Sequence, residues 1–110
     1  MGTEVYLSRA GDRIDGFVDP AGGQFDAAGD FDRLLPNDAV AFPILGKVDP
    51  YGIHQLDHTS MPGLLIEVDH LLTGLASARP DREWRGLMRL RTLTQYCIEN
   101  ADTTMVFVGD

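Results

Sequence analysis

Apolar and polar positions alternate over residues 3–8, with Val5 and Leu7 on one side and Tyr6 on the other, which predicts a short strand. Ala10-Gly11-Asp12-Arg13 reads as a turn in which glycine can take positive φ. Residues 14–18 are expected to return as a second strand, closing a hairpin that ends at the turn Asp19-Pro20-Ala21-Gly22. A short helix is expected over residues 26–35, capped by Asp26, turning Phe31, Leu34 and Leu35 inward and stopped by Pro36. Gly29 weakens that helix by about 1 kcal/mol relative to alanine. Residues 40–48 predict a strand at an edge or bulge, because Pro43 lacks a ladder donor. After the turn Asp49-Pro50-Tyr51-Gly52, residues 53–56 are its partner strand.

The second half has helical spacing. In residues 62–76, Leu64, Val68, Leu71, Leu72 and Leu75 form one apolar stripe, and Glu67, His70 and Thr73 fall on the other side. Pro62 suits a first helical turn, where its missing N–H is harmless. A second helix is expected over residues 81–100, with Leu87, Leu90, Cys97, Ile98 and Ala101 facing inward and Trp84 and Leu93 at the borders. Residues 103–108 then predict a β-branched terminal strand, paired inside the sheet so that Met105 and Phe107 are sheltered. The predicted fold class is α+β: one domain, a small antiparallel or mixed sheet packed against two long C-terminal helices.

Val18-Asp19-Pro20-Ala21-Gly22 is echoed by Val48-Asp49-Pro50-Tyr51-Gly52, and each is followed by Gln, an apolar residue and Asp. Asp-Pro-x-Gly is what independent turns converge on, so the echo is read as two similar turns rather than a repeat.

Composition narrows the function classes. The 110 residues include 44% hydrophobic and 24% charged residues, values of a globular chain that buries roughly two-thirds of its surface. No apolar run approaches the length needed to span a bilayer, and residues 1–10 lack the basic-then-apolar layout of a secretory signal, so a cytoplasmic location is the expectation. Arginine supplies all but one of the nine basic residues, a bias typical of high-GC coding. The net charge of −8 disfavours nucleic acid, whose phosphates reward cations, and favours a basic protein as partner.

Catalytic and metal chemistry find little support. His54, Asp57, His58 and His70 are the grouping closest to a metal site, but His54 and His58 straddle a strand end and His70 lies on a helix's polar side, so ordinary surface histidines are the preferred reading. Asp26, Asp30 and Asp32 lack the glycine and distal glutamate of a calcium loop. Cys97 reads as an inert core thiol, Ser8 and Ser60 have no elbow motif, and Gly22-Gly23 is too short to cradle phosphate. No cofactor, catalytic residue or metal ligand is assigned.

The sharpest local feature is basic. Arg82, Arg85 and Arg89 recur along one helix face that Tyr96 continues, and residues 79–91 hold five arginines against Asp81 and Glu83. Residues 1–38 hold eight acids against Arg9, Arg13 and Arg33. Asp26, Asp30 and Asp32, with Arg82, Arg85, Arg89 and Tyr96, are therefore the candidate partner-binding residues.

The succession of an amphipathic helix (62–76), a Trp-headed helix (84–98) and a strand closing on Phe107-Val108-Gly109-Asp110 resembles small acidic proteins of high-GC bacteria. It also resembles immunity proteins of polymorphic-toxin systems. The resemblance covers about the last 50 residues and implies a non-enzymatic inhibitor that sets an acidic face against a basic toxin. The sequence thus favours an acidic protein-binding module. A small metal- or ligand-dependent enzyme and an accessory subunit of an oligomer are the alternatives.

Overall fold

The computed structural model describes residues 4–14, 17, 39–48, 51–74 and 82–109, with 82–85 described by their backbone. The expected helix at 26–35, the turn at 19–22 and residues 15, 16 and 18 of the expected second strand lie outside the described residues. The strand itself starts two residues earlier than expected, at Asp12, because the turn takes only Ala10 and Gly11, and Phe17 is in no strand.

Four strands form one antiparallel sheet in the order β2-β1-β4-β3. They are β1 (Glu4–Arg9), β2 (Asp12–Ile14), β3 (Ile53–Leu56) and β4 (Thr103–Val108). Two helices, α1 (Met61–Gly74) and α2 (Arg82–Glu99), complete the α+β fold. β4 is central, pairing Val5 with Phe107 and Leu7 with Met105 on one side, and His54 with Phe107 and Leu56 with Met105 on the other. Paired residues share a face. Val5, Leu7, Met105 and Phe107 therefore line the inner face, where they bury with Leu64 and Val68 of α1 and Leu87, Leu90, Leu93 and Cys97 of α2. The terminal strand is sheltered inside the sheet, as residues 103–108 predict.

β1 and β2 are joined by a two-residue turn, because Arg9 pairs with Asp12. Both turn residues have positive φ, 53° at Ala10 and 85° at Gly11. That is the mirror-image turn matching the strands' right-handed twist, and it favours Asn-Gly. Alanine in this region is strained by about 1–2 kcal/mol. Ala10→Asn is expected to stabilise the protein by about 1 kcal/mol and raise Tm by about 4 °C in a thermal melt. An unchanged or lower Tm would contradict the turn.

The strand expected at 40–48 is not formed. Residues 39–44 are turns, leading into a single 3-10 turn at Leu45–Lys47. Pro43 withholds a donor and Gly46 donates back to the Phe42 carbonyl at 2.8 Å, so the segment bonds locally rather than into a ladder. Its apolar content serves packing instead: Leu45 and Val48 enter the core, while Phe42 tilts against His70 of α1 with ring centroids 5.7 Å apart. β3 accordingly pairs with β4 rather than with this segment. Gly63, in the first turn of α1, permits the approach: a Cβ there would lie 2.8 Å from Ile44 Cδ1.

Two helix faces differ from expectation. In α2 the core stripe runs through Leu87, Leu90, Leu93, Thr94 and Cys97, whereas Ile98 is 39% exposed and Ala101 is exposed. The Thr94 hydroxyl stays satisfied inside by donating to the Leu90 carbonyl at 2.7 Å. In α1, Glu67 is buried rather than solvated, and Ile66 is 71% exposed. A bond from Arg91 Nε to Asp69 Oδ1, 2.7 Å long, ties the two helices together.

Candidate interaction surfaces

Period-two alternation carries Arg9 onto the same face as Val5 and Leu7, at the end of β1 beside the exit of α2. Its guanidinium Nη2 donates to the Tyr96 hydroxyl at 3.3 Å and reaches Asn100 Oδ1 at 3.5 Å. Arg9 Nε lies 2.7 Å from Asp102 Oδ2. That contact is an ion pair in which the Nε–H is not aligned on the carboxylate oxygen. The Tyr96 bond, then Asp102, raises the guanidinium's affinity for its proton. Asn100 donates from Nδ2 to the Tyr96 carbonyl at 2.8 Å, and its own carbonyl accepts Thr103 Oγ1 at 2.7 Å. The cluster thus closes the C-terminal end of α2 and starts β4, where a cation also suits the helix dipole. Phe17 packs edge-on to the Tyr96 ring, centroids 5.0 Å apart.

Tyr96 is therefore half-buried and already bonded, and Arg89 is only 8% exposed. The arginine face expected along α2 is not continuous: Arg89 turns into the molecule beside Leu90, while Arg82 and Arg85 lie in the first helical turn, where the backbone alone is described. Asp26, Asp30 and Asp32 lie outside the described residues.

Glu67 is the polar residue whose role the sequence conceals. Its carboxylate is 7% exposed and accepts the Leu45 amide at 2.9 Å and the Ile44 amide at 3.1 and 3.3 Å to its two oxygens. These amides open the 3-10 turn and would otherwise lack acceptors. Glu67 stands three residues after Leu64 and four before Leu71, so its position on the apolar stripe was the available signal.

The histidines do not converge. His54 faces inward from β3 toward Phe107, His58 is exposed in the 3-10 turn His58–Ser60, and His70 is exposed on α1. No group of three or more His, Cys, Asp or Glu among the described residues could hold a metal ion. Asp57 caps the 3-10 turn, accepting the Thr59 hydroxyl and the Thr59 amide, the latter at 3.0 Å. Those bonds, the hydroxyl foremost, hold its carboxyl below the usual aspartate range. Cys97 is fully buried, and burial pushes its thiol up, away from the reactive thiolate.

The outer sheet face is mixed. Arg13 lies over the Tyr6 ring, 5.0 Å from its centroid, and pairs with Glu4. Val106 is sandwiched between Tyr6 and Gln55 in register, and Ile53 beside Val108 is 70% exposed. No helix among the described residues is long and apolar enough to cross a membrane. No family model, curated protein or solved structure matches the chain.

Proposed function

We propose that this protein is an acidic binding module that inhibits a basic partner protein, in the manner of an immunity protein. The observation that carries the reading is where the charge surplus falls. Arg9, Arg13 and Arg91 each pair with a carboxylate of the fold, Asp102, Glu4 and Asp69 respectively. The described residues hold eight acids and seven bases, so they contribute only −1 of the net −8. The surplus lies mainly in residues 15–38, where six aspartates face one arginine, Arg33. Asp26, Asp30 and Asp32 belong to that stretch and are the proposed contact residues. A concentrated field of one sign steers an oppositely charged partner and weakens as salt screens it.

Arg82 and Arg85 form the other proposed contact with Tyr96, at the opposite sign. Arg89 is a poor contributor, since its burial leaves little surface to offer.

The test is to capture the partner on immobilised protein, identify it, and measure the affinity of the purified pair as salt rises. A basic partner is expected, with Kd rising at least about tenfold between 50 and 300 mM salt, and rising likewise for the Asp26→Asn, Asp30→Asn, Asp32→Asn triple variant. A Kd indifferent to both changes would end the electrostatic reading.

A further inference from the structure

The edge strand β3 leaves half of its backbone groups unused. The Gly109 amide donates to the Gly52 carbonyl at 2.7 Å, so Gly52, and by alternation His54 and Leu56, are the residues that bond toward β4. Ile53 and Gln55 therefore turn their N–H and C=O groups away from the sheet, where neither has a bonding partner among the described residues. Both side chains are exposed on the outer sheet face, Ile53 to 70%. Edges are ordinarily blunted by Lys, Pro or a bulge, and β3 carries neither residue and pairs in unbroken register.

The charge around this edge is one-sided. Residues 48–60 and 100–110, which carry β3 and β4, hold Asp49, Asp57, Asp102 and Asp110 and no Lys or Arg. Arg9 offsets Asp102 from the neighbouring strand, which leaves three of the four in surplus. Residues 4–14, which carry β1 and β2, are balanced instead, with Glu4 and Asp12 against Arg9 and Arg13. The open edge thus belongs to the acidic half of the sheet.

We propose that the edge of β3 takes an extended, Lys- or Arg-bearing segment of a partner protein as a fifth strand. The open ladder supplies four backbone bonds, two at Ile53 and two at Gln55. Charge complementarity chooses the occupant. Asp57 directly follows β3 and Asp49 precedes it in the chain, so cationic side chains at the ends of the added strand meet opposite charge. An acidic segment, or a second copy at −8, meets like charge there. A β-branched residue of the segment beside Ile53 covers its exposed side chain. The proposal rests on the acidic-module reading for the sign of the partner's charge and makes no use of Asp26, Asp30 or Asp32.

The probe is an end-blocked, fluorescein-labelled peptide, Lys-Lys-Val-Thr-Val-Thr-Lys-Lys, titrated against the whole chain by fluorescence anisotropy. One control replaces every lysine with glutamate, and another N-methylates the backbone of the four central residues. The lysine peptide is expected to bind with a Kd of about 100 μM and to protect the Ile53 and Gln55 amides from hydrogen exchange. Both controls should bind at least about tenfold more weakly. Ile53→Pro removes an outward donor that the sheet does not use, so it should weaken the lysine peptide at least about tenfold in a protein that still melts cooperatively. If that variant does not fold, the N-methylated peptide carries the same test. The Asp26→Asn, Asp30→Asn, Asp32→Asn triple variant should bind the peptide within about threefold of wild type, which separates failure at this edge from failure of the acidic contact. No binding at about 1 mM peptide, equal binding of either control, a Kd unmoved by folded Ile53→Pro, unprotected amides, or loss of binding in the triple variant would each overturn the proposal. Sedimentation of the protein alone tests the rival occupant: a dimer abolished by Ile53→Pro would assign the edge to a second copy instead.

Discussion

Phe107→Ala is expected to remove about 4 kcal/mol of stability, more than any other single truncation, because Phe107 is the largest fully buried side chain among the described residues. It stands on the central strand, with Val5 and His54 as its cross-strand neighbours. Truncation removes contacts to both flanking strands and leaves a cavity that a hydrogen-bonded central strand cannot collapse to fill. A domain of this size has only about 5–15 kcal/mol in total, so the variant sits near its unfolding threshold. In urea denaturation the midpoint should fall by about 2–4 M, or the protein should already be unfolded without denaturant. Phe107→Leu keeps most of the volume and is expected to lose less than half as much. A Phe107→Ala loss below about 1 kcal/mol would be incompatible with the described core.

Glu67→Ala is expected to cost about 3 kcal/mol, lowering Tm by about 12 °C, because it strands two amides rather than one. An exposed helical glutamate, as the polar-face reading implied, would change stability by only a few tenths of a kcal/mol. Glu67→Gln retains one acceptor oxygen and should fall between, at about 1–2 kcal/mol. Hydrogen exchange localises the effect: the Ile44 and Leu45 amides, bonded to this carboxylate, should exchange much faster in Glu67→Ala at equal global stability. Unchanged exchange at both amides would refute the cradle.

Those two residues also mark what periodicity can and cannot deliver. The strand at 4–9 was legible from the alternation of Val5, Tyr6 and Leu7, and that at 103–108 from its β-branched content, although Met105, Val106 and Phe107 are buried in succession. The two helices were legible because their apolar stripes exceed three turns. Residues 40–48 were misread because a short apolar run looks alike whether it forms a ladder or a packed turn, and only the position of its hydrogen bonds separates them. Glu67 and Arg89 were misplaced for a different reason. Residue type suggested solvent, while position on the stripe dictated burial, and position prevailed in both. Of the candidate contact residues, the sequence displays the charge imbalance plainly. It could not display that Tyr96 is engaged by Arg9, because that pair joins residues 87 positions apart.

The pairing of β1 with β4 carries a consequence for synthesis. Residues 4–9 find their central neighbour only in residues 103–108, so about 90 intervening residues must be made before the sheet can close. At about 5–20 residues per second, Val5 and Leu7 wait roughly 5–20 s without the strand that shelters them. The α1–α2 hairpin can form in that interval, but the apolar face it offers the sheet stays uncovered until the last strand arrives. A nascent chain stalled before residue 103 is thus a natural client for a chaperone.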